Sequence, residues 1–225
     1  MTPHPSLAAL AAADPARPYV IAQLGQSLDG RIATPSGDSR YINGPGALDH
    51  LHALRAGVDA VIVGVSTVIA DDPLLTVRRV AGRSPARVIL DPNGRMPEDA
   101  RCLRDDGVAV LVIGRQDGAG RIAVPVDFAG YMMPQAIIAA LFARGMRRLL
   151  VEGGAATISA FIDVDCLDRL HLLVGPVIIG SGKQGLSLNP VNSLSQALRP
   201  ATTCFPLPGG DVLFDCDLRT AQRAP

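Results

Sequence analysis

The 225-residue sequence contains no tryptophan, and aromatic residues make up only 4% of it. Platforms that stack bases or sugar rings rely on such side chains, so the composition suits them poorly. A surplus of one charge is also missing, because 21 Lys and Arg balance 21 Asp and Glu. That balance argues against a nucleic-acid groove or a polybasic membrane patch, both of which need excess positive charge. No apolar run approaches the length that crosses a bilayer, and the short Ala run at residues 8–13 has no basic segment before it, unlike a signal peptide. The cysteines, Cys102, Cys166, Cys204 and Cys216, show no two-residue spacing and no nearby histidines. They fit idle thiols of a reducing compartment better than a zinc site or a redox pair. The expectation is a cytoplasmic protein without metal, nucleic acid or membrane partner.

What is present is an aliphatic chain, 48% hydrophobic and 19% charged, which excludes disorder as a whole. A chain of this length buries roughly 70% of its unfolded surface without staples. Residues 1–18, rich in Pro and Ala, read as a flexible tail or short docking arm. Order is expected from Tyr19, with one domain over residues 19–220. Apolar runs ending in Gly or an acidic residue predict strands at residues 19–24, 60–64, 87–91, 109–114 and 149–152. Helical patterns lie between or after them: one opened by Pro45 and ended by Gly57, one near 66–70, one near 134–144 and one starting at Gly154. Alternating strands and helices imply an α/β domain with a mostly parallel sheet. Residues 170–179 and 211–218 predict an antiparallel addition at its edge.

Open α/β sheets bind ligands beyond the carboxyl ends of their strands, which directs attention to four segments. In Val151-Glu152-Gly153-Gly154-Ala155-Ala156-Thr157 a strand passes into a helix through paired glycines, a turn that lets a diphosphate approach backbone N–H groups. Such a turn also serves as a plain tight connection, but a carboxylate at the end of an apolar strand is seldom there for packing. In the second segment Asp71 and Asp72 precede Pro73 at the end of a short helix, an end that repels anions, and Arg78 follows. An Asp-Pro turn is the simpler reading of that pair. The loop Gln26-Ser27-Leu28-Asp29-Gly30-Arg31 carries an ordinary turn signal. Arg55, near the end of the Pro45 helix on the flank of its leucines, reads by itself as a solvated cation favourable to a helix C-terminus.

Taken in this order, the segments resemble the C-terminal reductase domain of the bifunctional riboflavin-biosynthesis deaminase-reductase, whose fold is that of dihydrofolate reductase. The resemblance runs from about Tyr19 to Leu218. It is carried by Ser27-Leu28-Asp29-Gly30-Arg31, by Gly37-Asp38-Ser39-Arg40-Tyr41-Ile42, by the Asp71-Asp72-Pro73 block with Leu75-Thr76-Val77-Arg78, and by Val151-Glu152-Gly153-Gly154. It implies NADPH-dependent reduction of the ribosyl side chain of a pyrimidine phosphate to the ribityl form, by a homodimer. Ser39, Arg55, Leu75, Arg78 and Glu152 match positions that hold substrate. Gly25, Tyr41, Thr67, Asp71 and the turn Gly153, Gly154, Ala155, Ala156 and Thr157 match positions that hold the dinucleotide. Arg55 and Arg78 would clamp the sugar phosphate. Asp71 and Glu152 are the carboxylates expected to supply a proton or stabilise an iminium. For the cofactor's 2′-phosphate, Arg95 and Arg115 are candidates.

The chain departs from the family in two side chains. Gln23 stands where Lys is common, and Tyr41 where Trp is common. Gln cannot supply a cation, which leaves the identity of the substrate open. The zinc signature of the deaminase half, His-x-Glu followed by Pro-Cys-x-x-Cys, is absent from the sequence. A related reductase of a pterin or other heterocycle, and a non-catalytic dinucleotide-binding protein, remain as alternative readings.

Overall fold

Parallel strands buried on both faces dominate the chain. The computed structural model describes residues 4–127 and 130–222. In chain order the elements are α1 (Ala8–Ala11), β1 (Tyr19–Ser27), β2 (Arg31–Ala33), α2 (Pro45–Gly57), β3 (Ala60–Gly64), α3 (Val65–Asp71), β4 (Ala86–Leu90) and β5 (Val110–Gly114). There follow β6 (Arg121–Ala123), α4 (Pro134–Phe142), β7 (Arg148–Glu152), α5 (Ala155–Asp163), β8 (Arg169–Gly175), β9 (Lys183–Gln184), β10 (Arg199–Pro206) and β11 (Val212–Gln222). Among the described residues the main sheet has nine strands in the order β10-β11-β8-β1-β7-β3-β4-β5-β6, with β2 and β9 forming a separate two-stranded ribbon.

Alternation along each central strand supplies two cores. Val20, Ala22, Ile62, Val88 and Val151 face α4 and α5 through Ile137, Leu141, Ile158 and Phe161. Ile21, Val61, Val63, Ile89 and Leu150 face the other way, toward Leu54 of α2 and Val68 of α3. Because both faces are covered, the strands read as continuous aliphatic runs. Parallel pairing from β8 to β6 brings their carboxyl ends to one edge of the sheet.

The N-terminal expectation needs correction. Residues 4–18 are not a loose tail: Leu10 of α1 is 3% exposed and packs in the second core. Residues 1–3 lie outside the described residues. The antiparallel addition expected of residues 170–179 and 211–218 is present: β11 pairs antiparallel with β8 and β10 with β11, while β8 on its other side pairs parallel with β1. Strand β10 has a mostly exposed Pro-containing sequence, Arg-Pro-Ala-Thr-Thr-Cys-Phe-Pro, that carries little apolar alternation. Ala47, His50, His52, Leu54 and Arg55 are buried, while Leu48 is 40% exposed.

Candidate active site

At the carboxyl edge, β1 and β7 end side by side, and α2 and α3 close over them. Between these elements lies a cleft of about 330 Å³ lined by Gln23, Gly25, Ser39, Asn43, Leu48, Leu51, Asp71, Glu152, Gly153 and Gly154, among others. Leu48, 40% exposed, and Leu51, which also packs against the second core, form a wall of the cleft.

Glu152 ends β7 and is 9% exposed; Arg55, on the last turn of α2, is 5% exposed. The Arg55 Nε donates to Glu152 Oε2 at 2.8 Å, and Nη2 donates to Oε1. The third nitrogen, Nη1, donates to the Thr76 carbonyl at 3.0 Å. Arg55 is therefore a buried partner that fixes the Glu152 carboxylate, with all its nitrogens engaged. This corrects the solvated reading of Arg55. Arg78 is different. Its backbone N–H donates to Nδ1 of buried His52 at 2.9 Å, and its Nη1 donates to Thr76 Oγ1 at 2.8 Å, but its side chain is exposed. Burial, followed by the charges of Arg55 and Arg78, pushes the His52 imidazole down to about 4, so near neutral pH it accepts the Arg78 bond uncharged.

Asp71 stands at the end of α3 and lines the same cleft. Its residue remains open to solvent on one side, yet partial burial holds its carboxyl above the usual range against the opposing pull of Lys183 and Arg40. Burial thus favours the protonated form, which suits proton donation. Neighbouring Asp72 does structural work instead: it caps α3 at φ 40° and accepts the Arg101 N–H at 2.8 Å. Leu75, at φ 57°, is 1% exposed and packs in the second core, so its side chain is not presented to the cleft.

The Gly153-Gly154 turn has φ values of 72° and 26°, a backbone that side chains disfavour. Cβ atoms added there would stand 3.0 Å from Thr67 Cγ2 and 3.0 Å from Thr67 Oγ1, respectively. The turn leads into α5, where the Thr157 N–H donates to the Gly154 carbonyl at 3.0 Å, leaving the Ala155 and Ala156 N–H groups as helix-end donors. A Cβ on Gly64 would meet Thr157 Oγ1 at 2.9 Å. Closely approached glycines and uncommitted N–H groups fit a diphosphate. Along the same edge, Asp91, Gly94, Gly114, Arg115 and Arg121 line a second cavity of about 440 Å³. From β1 to β5 the edge spans four strand intervals, about 19 Å. Arg95 is directed elsewhere, donating to Ser66 Oγ at 3.2 Å.

The other sequence candidates divide between site and scaffold. Ser39 lines the cleft, whereas Tyr41 is 93% exposed, at φ 67°, and does not. Gly25 lines it too, and a Cβ there would sit 2.0 Å from Asn43 Oδ1; glycine is needed at this position simply to admit Asn43. Asp29 ties the β1–β2 turn to a distant loop, accepting from Ser27 Oγ at 2.6 Å and from the Ile179 and Gly180 N–H groups. Those bonds, the serine's foremost, lower its carboxyl to about 2. Sequence reasoning missed Asp211, which is fully buried and accepts from Asn43 Nδ2 at 2.9 Å and the Gly44 N–H at 2.8 Å. It pins the end of the Ser39 loop, at the start of α2, to the turn between β10 and β11. Only its position after Gly209-Gly210 signalled it, and that reads as a turn. Among the described residues no cluster of His, Cys, Asp or Glu could hold a metal ion, and no helix is long and apolar enough to cross a membrane.

Known proteins share this architecture. The 2,5-diamino-6-ribosylamino-4(3H)-pyrimidinone 5′-phosphate reductase of Methanothermobacter thermautotrophicus is 33% identical over 196 residues, covering 81% of this chain and 90% of that protein. RibD of Acinetobacter baumannii superposes with a TM-score of 0.77 at 29% identity, covering 89% of this chain and 58% of that one. The dihydrofolate reductase of Enterococcus faecalis matches with a TM-score of 0.53 at 12% identity, a likeness of fold alone. Residues 18–204 match the family model of the RibD C-terminal domain, and the chain belongs to that family.

Proposed function

We propose that the protein reduces the ribosyl side chain of a ribosylaminopyrimidine 5′-phosphate to the ribityl form in riboflavin biosynthesis, with NADPH as reductant. The observation that carries this reading is the single cleft lined by Glu152, locked by Arg55, by Asp71 and by the Gly153-Gly154 turn. A non-catalytic dinucleotide binder would have no use for two carboxylates held in such different surroundings. Family membership and the named pyrimidinone phosphate reductase relative support the same substrate class.

The backbone donors at the start of α5, with Gly64 and Thr67, would hold the dinucleotide's diphosphate, and Arg115 with Arg121 would select a 2′-phosphate. The bound cofactor supplies a hydride. On the substrate, ring opening moves the glycosidic N–H proton to the ring oxygen and leaves a C=N bond. Reduction then adds hydride at carbon and one proton at nitrogen. Asp71 is the proton donor, because burial favours its protonated form. Glu152, an acceptor fixed in orientation, steadies positive charge developing on the C=N group. Exposed Arg78 meets the phosphate at the rim. The enzyme would work in the cytoplasm as a homodimer, a state that the unpaired outer edge of β10 would serve.

Reduction with cofactor deuterated at the transferable position tests the chemistry. One deuterium at the former anomeric carbon of a ribityl product supports it; unlabelled product, or label elsewhere, overturns it.

A further inference from the structure

The N-terminal arm precedes residues 18–204, which match the family model, and has no part in the chemistry above. It forms a 3-10 turn, Pro5–Leu7, that runs into α1, and it lies along α2. His4 caps that turn: its Nδ1 accepts from the Ser6 N–H at 3.3 Å and lies 2.7 Å from Ser6 Oγ. The His4 ring meets His50 of α2 edge to face, with centroids 5.8 Å apart, and Phe205 of β10 at 4.9 Å. Further along, Leu10 packs in the second core with Leu54 of α2, and a Cβ added to Gly57 would stand 3.0 Å from its Cδ2. Between these two holds lies a cavity of about 370 Å³ lined by Pro5, Leu7, Ala53 and Gly57, among others. The arm is therefore fastened at two points rather than along its length.

The first hold depends on the protonation of one ring. A backbone N–H can only donate, so His4 Nδ1 must accept, and the seated imidazole is neutral with its proton on Nε2. A proton on Nδ1 would set N–H against N–H; the Ser6 hydroxyl could turn to accept it, but the backbone could not. A new positive charge would also find no free partner. The ring faces His50 from α2, His171 from β8 and Asp215 from β11, with uncharged Phe205 from β10. His50 Nε2 lies 2.9 Å from His171 Nδ1, His171 Nε2 lies 3.2 Å from Asp215 Oδ1, and Asp215 already accepts from Arg169. Burial, then the neighbouring His171, accordingly hold the His4 imidazole below its ordinary value against the pull of Asp215.

The helix on which the arm is seated carries Arg55, and its Leu48 and Leu51 wall the cleft. We infer that residues 4–11 are a proton-released clasp on α2: neutral His4 seats the arm and steadies the helix that holds Arg55, and protonated His4 frees the arm and loosens the helix. An imidazole in solvent takes up its proton at about pH 6.5, and the seated ring resists it. Release therefore grows as pH falls below that value, by about 10-fold at pH 5.5. The clasp acts on the wall of the cleft whatever the cleft reduces.

Hydrogen exchange of the intact protein, read by mass spectrometry at pH 7.5 and pH 5.5 and corrected for the intrinsic pH dependence of exchange, tests the clasp. Protection of residues 5–13 should fall about 10-fold from the higher pH to the lower. Protection of residues 45–57 should fall with it, while β3 and β7 keep theirs. His4→Asn retains a cap acceptor and does not titrate in this range, and His4→Phe retains an aromatic ring against His50 and Phe205. In both variants the ratio of arm protection between the two pH values should be close to 1, whatever its absolute level. Equal protection of the arm at both pH values in wild type, or a ratio near 10 that persists in either variant, would overturn the inference. So would release of the arm with α2 unchanged, or an equal loss across β3 and β7, which marks global unfolding.

Discussion

Replacing Arg55 with alanine would leave the Glu152 carboxylate buried without its cation. The side chain removed is 5% exposed and supplies two donors to Glu152 and one to the Thr76 carbonyl. Breaking a buried pair from one side costs about 3–5 kcal/mol, because the remaining charge is left desolvated. In a domain of this length each kcal/mol lowers Tm by about 2–4 °C, so Arg55→Ala should melt about 6–20 °C below wild type. Removing the stranded charge as well, in Arg55→Ala with Glu152→Gln, should recover about 2 kcal/mol. Urea titrations of wild type, both single variants and the double variant, followed by far-ultraviolet circular dichroism, complete the cycle. Additive losses, or a loss below about 1 kcal/mol for Arg55→Ala, would refute the argument, since that is the behaviour of an exposed pair.

Three further outcomes follow from the same geometry. Asp71→Asn should lower kcat by about 100-fold or more and flatten the decline of activity with rising pH, because a proton donor is lost as pH rises through its raised value; a pH–rate profile that keeps this decline would remove Asp71 from that role. His50 and His52 are held down to about 3 and about 4, chiefly by burial. The unfolded chain takes up their protons near pH 6.5 and the folded one resists, so stability is expected to fall as pH drops from 6.5 through 4. The urea midpoint should show that slope, and His52→Asn should reduce it; a midpoint independent of pH over this range would contradict the assignment. Tyr41, exposed at φ 67°, should tolerate glycine with a gain of about 1 kcal/mol from relief of its left-handed backbone. If the ring serves the cofactor, the same change raises KM for NADPH, and an unaltered KM would show that it does not.

The central strands were legible because burial on both faces leaves uninterrupted runs such as Ala-Val-Ile-Val-Gly at β3, bounded by glycine. The helix over residues 45–57 was marked by Pro at its start and Gly at its end. Strand β10 was not, since an edge strand that buries little has no apolar alternation to reveal it. The site's members were visible as strand-end and turn residues, but their relations were not. Nothing local distinguishes a solvated Arg55 from one buried against Glu152, because the contact joins residues 97 apart in sequence. Leu75 illustrates the opposite error: within a segment that borders the site, its side chain belongs to the core. Asn43 and Asp211 share this limitation, reading as turn residues until the fold brings them together across a separation of 168.

The most direct test of the account is NADPH oxidation by purified protein offered the ribosylaminouracil 5′-phosphate, its aminated pyrimidinone precursor and dihydrofolate side by side. The account predicts turnover of the ribosylaminopyrimidines and none of dihydrofolate. Oxidation with dihydrofolate alone, or NADPH bound without turnover of any of the three, would contradict it.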